Sequence, residues 1–177
     1  MERTEENVIL VDTNNNSIGE MEKIETHEKG LLHRAFSIFV FNNENELLLQ
    51  RRAFSKYHSG GLWTNSCCSH PRPNETVMDA SHRRLMEEMG FDCELKEEFS
   101  FIYKKEFDNG LTEHEYDHVL IGHYNDDITP NLEEVAEYKY ITLKDLQEEI
   151  REQPEQFTYW FLIAFKELLK RKKYDLD

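Results

Sequence analysis

Asn74-Glu75-Thr76-Val77-Met78-Asp79-Ala80-Ser81-His82-Arg83-Arg84-Leu85-Met86-Glu87-Glu88-Met89-Gly90 is the stretch on which the fold turns. Asn is a favoured helix cap and Gly a favoured terminator, so a helix is expected from about Asn74 to Met89, capped by Asn74 and stopped by Gly90. Strand signals lie on both sides of it. Upstream, Val8 to Val11 and Ser17 to Met21 flank the turn formers Asp12 to Asn16 and read as a hairpin. Ala35 to Phe41 and Glu46 to Arg52, joined by Asn42-Asn43-Glu44-Asn45, read as a second one. Downstream, Asp108-Asn109-Gly110 joins Phe91 to Phe107 with Leu111 to Tyr124 in a long hairpin. Val135 to Ile141 is a further expected strand. Leu143 to Arg151 and Pro154 to Leu169 are expected helices, the second with Pro in its first turn. A helix embedded among strands, with more helices at the end, predicts an α+β sandwich over a single domain, 1–177.

The 36 Asp+Glu against 21 Lys+Arg leave a formal charge of -15, a field that repels nucleic acid and anionic membranes. Neither is an expected partner. The polar lead Met1 to Asn7 lacks the apolar core of a signal peptide, and the longest apolar runs fall short of the roughly 20 residues of a membrane span. Cys67 and Cys68 are adjacent and Cys93 is alone, an odd count that suits a reducing cytoplasm rather than a disulfide framework. The basic end Lys170 to Lys173 reads as a solvated helix terminus at the negative pole of the dipole.

Three groups of residues carry chemistry. Glu113 and Glu115, two apart on an expected strand, project from one face while His114 points away, and Asp117 extends the row. They coordinate a cation or form an acidic surface. His27, His33 and His70 are scattered as ligands from separate elements tend to be, though a lone His is more often a surface or core residue. The loop Trp63-Thr64-Asn65-Ser66-Cys67-Cys68-Ser69-His70-Pro71 places thiols two and three residues from an imidazole. Cys68 could exchange a proton there, and small buried hydrophobes are the plainer reading of Cys67 and Cys93. Arg51, Arg52, Lys56, Arg83 and Arg84 concentrate positive charge on an acidic chain and suit a diphosphate, although Arg84 and Glu88 are also spaced as a surface pair.

These residues resemble a known family. Glu75 followed by Arg83-Arg84-Leu85-Met86-Glu87-Glu88-Met89-Gly90 is similar to a degenerate Nudix box, with Ser69 in place of its opening Gly and Arg84 in place of a Glu. Together with Trp63 to Pro71 and Glu113-His114-Glu115, the pattern resembles type I isopentenyl-diphosphate isomerases from about Val8 to Trp160. The resemblance implies a Nudix-like α/β/α sandwich with mixed sheets and flanking helices. It further implies metal ligands His27, His33, His70, Glu113 and Glu115, and the catalytic pair Cys68 and Glu115. Lys23, Arg52, Lys56 and Arg84 would bind the diphosphate, and Glu88 would hold a second metal, Mg²⁺, that bridges the phosphates. Tyr103 would stand beside the catalytic glutamate and Trp160 over the substrate.

The implied activity is isomerisation of isopentenyl diphosphate to dimethylallyl diphosphate through a carbocation-like state. Mn²⁺, Mg²⁺ or Zn²⁺ would fill the His/Glu site. The expected partner is the small-molecule diphosphate, and the expected state a monomer or weak dimer. A Nudix-type hydrolase acting through Glu87 and Glu88, and a non-catalytic binding module, are the competing readings.

Overall fold

The structure is a computed structural model that describes residues 6–171. The first residues of the polar lead, and Lys172 and Lys173 of the basic end, lie outside the described residues. The elements run β1 (Asn7–Val11), β2 (Ser17–Glu22), α1 (Lys23–Lys29), β3 (His33–Phe41), β4 (Leu47–Arg52), β5 (Trp63–Thr64), β6 (Cys67–Ser69), α2 (Val77–Met89), β7 (Leu95–Glu106), β8 (Thr112–His123), β9 (Val135–Ile141), α3 (Leu143–Glu152) and α4 (Tyr159–Lys170).

The strands join in one mixed sheet around β3. β3 runs parallel to β8 from His33 opposite Glu115 to Phe41 opposite His123, and antiparallel to β1, β4 and β6. Strand alternation then sorts its side chains. Phe36, Ile38 and Val40 pack with Ala80, Leu85 and Met89 of α2 on one face. Phe39 and Phe41 pack with Phe161, Ala164 and Phe165 of α4 on the other, beside Leu143 and Leu146 of α3. Helices on both faces of a mixed sheet make the expected sandwich.

The expected hairpin of β3 and β4 exists only at its tip, where Phe41 faces Leu47. Further along, the strands splay apart and Asn65 and Ser66 enter between them, both fully buried. The Ser66 hydroxyl accepts from the Val40 N–H at 2.8 Å and donates to the Leu48 carbonyl at 2.6 Å. Asn65 Nδ2 donates to the carbonyls of Ile38 at 3.1 Å and Cys67 at 2.7 Å, and Gln50 Nε2 donates to the Ser66 carbonyl at 2.8 Å. Side chains thus replace the missing ladder bonds, because a buried backbone group without a partner is costly. β3 is freed to pair with β6, and β4 with β5 and β9.

Two helix boundaries differ from expectation. α2 begins at Val77, capped by Thr76, whose hydroxyl accepts from Asp79 N–H at 3.0 Å. Asn74 instead takes φ 65° in the preceding turn, a conformation Asn tolerates, so it cannot be the cap. Gly90 does end the helix: at φ 74° an added Cβ would come within 2.2 Å of the Thr129 carbonyl oxygen. The expected Pro154 to Leu169 helix is broken into a short 3-10 turn at Pro154–Gln156 and α4. Thr158 between them is extended because β5 holds it: its N–H donates to the Trp63 carbonyl at 3.0 Å and its hydroxyl meets that of Thr64 at 2.8 Å. α1, over a stretch with no helix expectation, has its amide at Glu25 capped by the Glu22 carboxylate and ends at Gly30.

Glu75 braces the turn before α2 by accepting from Arg83 at 2.6 and 2.9 Å and from the Arg72 N–H at 2.8 Å. The Arg83 hydrogen bond outweighs burial and, with Arg72, holds the carboxyl below its ordinary value. A carboxyl with a depressed folded pKa stabilises above its unfolded pKa, and that contribution disappears as pH falls through the folded one. Glu75→Gln should therefore lose on the order of 1 kcal/mol in urea unfolding at pH 7, with the gap from wild type closing at pH 3. Ser66→Ala leaves the Val40 N–H and the Leu48 carbonyl without their side-chain partner. It should cost about 2–4 kcal/mol by the same measurement with an unchanged denaturant slope.

Candidate active site

The face of β3 and β8 that carries Phe39, Phe41, Val119 and Ile121 over α4 changes character toward its other end. There the alternation presents His33 from β3 and Glu113, Glu115 and Asp117 from β8, all buried. α1 adds His27, and the chain leaving β6 adds His70. His33 and His70 Nε2 lie 3.5 and 3.1 Å from Glu115 Oε1, and His27 Nε2 lies 3.8 Å from Glu113 Oε1. The ring centroids of His27 and His33 are 5.0 Å apart, and those of His33 and His70 4.9 Å.

Backbone carbonyls orient two of these rings. His27 Nδ1 donates to the Lys23 carbonyl at 2.6 Å, across one turn of α1, and His33 Nδ1 to the Leu31 carbonyl at 2.9 Å. Both Nε2 atoms are then left buried with no hydrogen-bond partner. Burial drives the His70 imidazole down to about 4, more than the charge of Glu115 restores, so it is neutral at pH 7. Burial also acts to raise the Glu115 carboxyl, but His70 and His33 together hold it well below its ordinary value. Neutral imidazoles with inward lone pairs, an ionised carboxylate and backbone-fixed tautomers are the donor set of a divalent cation. One ligand atom each from His27, His33, His70 and Glu115 lie within 4.8 Å of one another. The residues fit a metal.

In front of this cluster opens a cleft. Lys23, Arg52, Lys56 and Arg84 line it, opposed by Glu6, Glu88 and Glu134. Arg84 pairs with Glu88 and Glu87, each at 2.6 Å, and Lys56 with Glu134. Arg52 Nε and Arg84 Nε are buried donors without partners, so the cleft retains capacity for an anion. Arg51 and Arg83 of the sequence-predicted basic group point elsewhere, Arg51 to Glu137 at 3.7 Å and Arg83 to Glu75. Glu88 accepts from Gln50 at 2.9 Å and from Arg84, and its lone pairs still reach the cleft, where a cation could bind.

Cys68 also lines the cleft, whereas Cys67 does not. On β6, Cys68 faces Ser37 and Cys67 faces Ile38, so the adjacent thiols point to opposite sides of the sheet. Cys67 is wholly buried in the core under α2. Burial pushes the Cys68 thiol up to about 12 although Arg52 opposes it, with Arg52 Nη1 3.9 Å from the sulfur. The Tyr103 hydroxyl donates to Glu113 at 2.6 Å and not to Glu115, the partner expected of it, although Tyr103 pairs with Glu115 in strand register. Trp160, at the first turn of α4, lies 5.2 Å under the Arg52 guanidinium.

Sequence reasoning missed Tyr57 and His58, which the loop between Arg52 and Leu62 folds over the cluster. Gly60 and Gly61 permit that fold: a Cβ on Gly60 would stand 2.7 Å from the Phe54 carbonyl oxygen, and Gly61 has φ 79°. The only sequence signal was a His beside a Gly-Gly break. Ser37, which donates to Asp117 at 2.8 Å, also lines the cleft and was not singled out.

Fold and cluster together define a NUDIX domain. The sequence model of the NUDIX domain family matches residues 31–161. The structure is similar to one from Deinococcus radiodurans (TM-score 0.69, 18% identity, 83% of this chain and 90% of that one). It is also similar to a MutT protein of Methanosarcina mazei (TM-score 0.66, 18% identity, 80% and 96%). Within that fold the chain belongs to the isopentenyl-diphosphate Delta-isomerases. It is 54% identical over 157 residues to the protein of that name, numbered 2, from Photorhabdus laumondii, covering 89% of each chain. It is 52% identical over 156 residues to the Aromatoleum aromaticum isomerase 2, covering 88% of this chain and 82% of the relative.

A cation that binds the folded cluster and not the unfolded chain stabilises by mass action, about 2.7 kcal/mol at 100 times its Kd. Mn²⁺ at that excess should raise Tm by roughly 5–11 °C, EDTA should reverse the rise, and His33→Ala should abolish it in differential scanning calorimetry.

Proposed function

We propose that the cleft interconverts isopentenyl and dimethylallyl diphosphate by adding a proton to one carbon of the alkene and removing one from another. The observation that carries this reading is the placement of Cys68 and Glu115. They stand on the same face of the sheet, on strands that flank β3 on either edge, one opposite Ser37 and the other opposite His33. Their environments push them apart, the thiol up to about 12 and the carboxyl well below its ordinary value. At neutral pH the pair thus holds one transferable proton, on sulfur, and one acceptor, the arrangement a reversible proton shift needs.

Protonating an alkene produces a tertiary carbocation that water would trap, so the reacting carbons must be dry. Phe36, Tyr103 and Trp160 supply apolar wall, and the Trp160 ring face could stabilise the cation by about 2 kcal/mol when desolvated. Arg52, Lys56, Arg84 and Lys23 hold the diphosphate, so that binding energy from the unreactive end positions the alkene between the two groups. A divalent cation on His27, His33, His70, Glu113 and Glu115 would fix the catalytic carboxylate and lower its basicity, while Mg²⁺ on Glu88 would neutralise phosphate charge. Tyr103 acts through Glu113, whose orientation it holds. Hydrolysis is disfavoured because Glu87, a carboxylate the hydrolase reading requires, is tied to Arg83 and Arg84 outside the cleft. Free thiols suit a reducing cytoplasm, where the chain would act as a monomer or weak dimer.

Cys68→Ala should lower isomerisation about 10²–10⁴-fold, with metal content and Tm unchanged. Cys67→Ala, on the other face, should keep the rate and lose stability instead. Deuterium uptake from D₂O into isopentenyl diphosphate reads the chemistry directly, and undiminished uptake by Cys68→Ala would refute the assignment.

A further inference from the structure

His58 is an imidazole of the site that the mechanism above does not use. Its ring is clamped, stacked on Phe107 at 4.8 Å and 11°, edge-on to Tyr57 at 4.4 Å, and held through Nδ1 near the Ser59 hydroxyl at 3.1 Å. Its side chain is 2% exposed. Nε2 lies 2.7 Å from Glu113 Oε1, yet it makes no aligned hydrogen bond to that oxygen or to any other atom. His27 Nε2, also without a hydrogen-bond partner, faces the same Glu113 oxygen from 3.8 Å. One ligand atom each from His27, His58 and Glu113 lie within 4.8 Å of one another, with all three residues buried. Two imidazole nitrogens and a carboxylate that converge without bonding to each other point at a common centre.

Two imidazoles and one carboxylate with an open fourth position are the donor set of low-coordinate Zn²⁺ sites. Here the open side is the cleft, which His58 and Glu113 both line. His27 belongs to both sets and has one free nitrogen, because its Nδ1 is committed to the Lys23 carbonyl. A cation held by His27 and His58 therefore takes His27 away from His33, His70 and Glu115. We propose that His58, His27 and Glu113 form a second, mutually exclusive placement for a divalent cation, selective for low-coordinate borderline metals such as Zn²⁺. The larger His33-centred set suits a high-coordinate ion such as Mn²⁺. The proposal rests on the reading that the His33-centred set is itself a metal site, and Zn²⁺ in the second placement would dismantle the first.

The test measures Zn²⁺ and Mn²⁺ affinities by competition with a chromophoric chelator, on full-length wild type, His58→Ala, His58→Gln and His33→Ala, with circular dichroism to establish folding. His58→Ala should weaken Zn²⁺ binding 10–100-fold and leave Mn²⁺ within about threefold. His33→Ala should do the reverse. Zn²⁺ affinity unchanged in His58→Ala overturns the proposal, as does full recovery in His58→Gln, which would make His58 a hydrogen-bonding support for Glu113. Equal loss of both metals in His33→Ala overturns it too, since one site would then serve both. Mn²⁺ affinity untouched by His33→Ala would instead refute the metal reading of the first set, a distinct result from any failure at His58.

Discussion

Everything about the site depends on the wedge of Asn65 and Ser66 between β3 and β4. Two adjacent strands of a hairpin ordinarily satisfy each other's backbone groups along their length, and parting them leaves buried donors and acceptors that cost roughly 1–3 kcal/mol each. Ser66 and Asn65 answer those groups with a hydroxyl and an amide of matching reach. The gap admits β6, and β6 sets one thiol in the cleft and its neighbour in the core. The same insertion carries Thr64 to Thr158, which starts α4 where Trp160 can close the cleft. A local substitution of side-chain for main-chain hydrogen bonds thus positions the thiol and the aromatic wall, although neither touches the wedge's bonding atoms.

The sheet face itself changes solvent regime along its length. From Val119 and Phe39 onward it is packed apolar core, and from Asp117 toward Glu113 it is a row of buried carboxylates. Like charges so close and so far from water are tolerated only with opposite charge or shared protons. Burial, with the charge of Glu115 added, pushes the Asp117 carboxyl well above its ordinary value, while Glu115 stays ionised against its imidazoles. The row therefore grades from an ionised carboxylate that suits a cation to a neutral one that suits the core. Strand alternation places the residues, and the change in surroundings assigns their charge.

Much of this was legible in the chain. Glu113 and Glu115 on one strand face, the helix ended by Gly90 and the long hairpin at Gly110 follow from local periodicity and turn chemistry, which sequence carries directly. The cap at Thr76 instead of Asn74, and the break at Thr158, were not legible, because each depends on a tertiary partner: a left-handed turn in one case and β5 in the other. α1 was missed since its seven residues show too little of a helical period, although it delivers Lys23 and His27 one turn apart. His58 escaped for a different reason. A single His in a Gly-rich loop has no pattern, and only the return of that loop over the cluster gives it neighbours.

The net charge of -15 makes the cleft's affinity for an anion the harder question. Lys23, Lys56 and Arg84 are each already within ion-pair distance of a carboxylate, so a diphosphate gains from them only in competition with Glu6, Glu134 and Glu88. Arg52 differs. It is 8% exposed, its Nε has no partner, and among the described residues no carboxylate lies within ion-pair distance of it. A desolvated guanidinium supported by a thiol, a carbonyl and the Trp160 ring is under-compensated, and an incoming phosphate relieves that cost without displacing a rival anion. Arg52 also covers the Trp160 ring, so a move of the guanidinium toward phosphate would uncover the surface a carbocation requires. Anion capture and cation stabilisation then draw on one residue in succession, which ties the handle of the substrate to the chemistry at its other end.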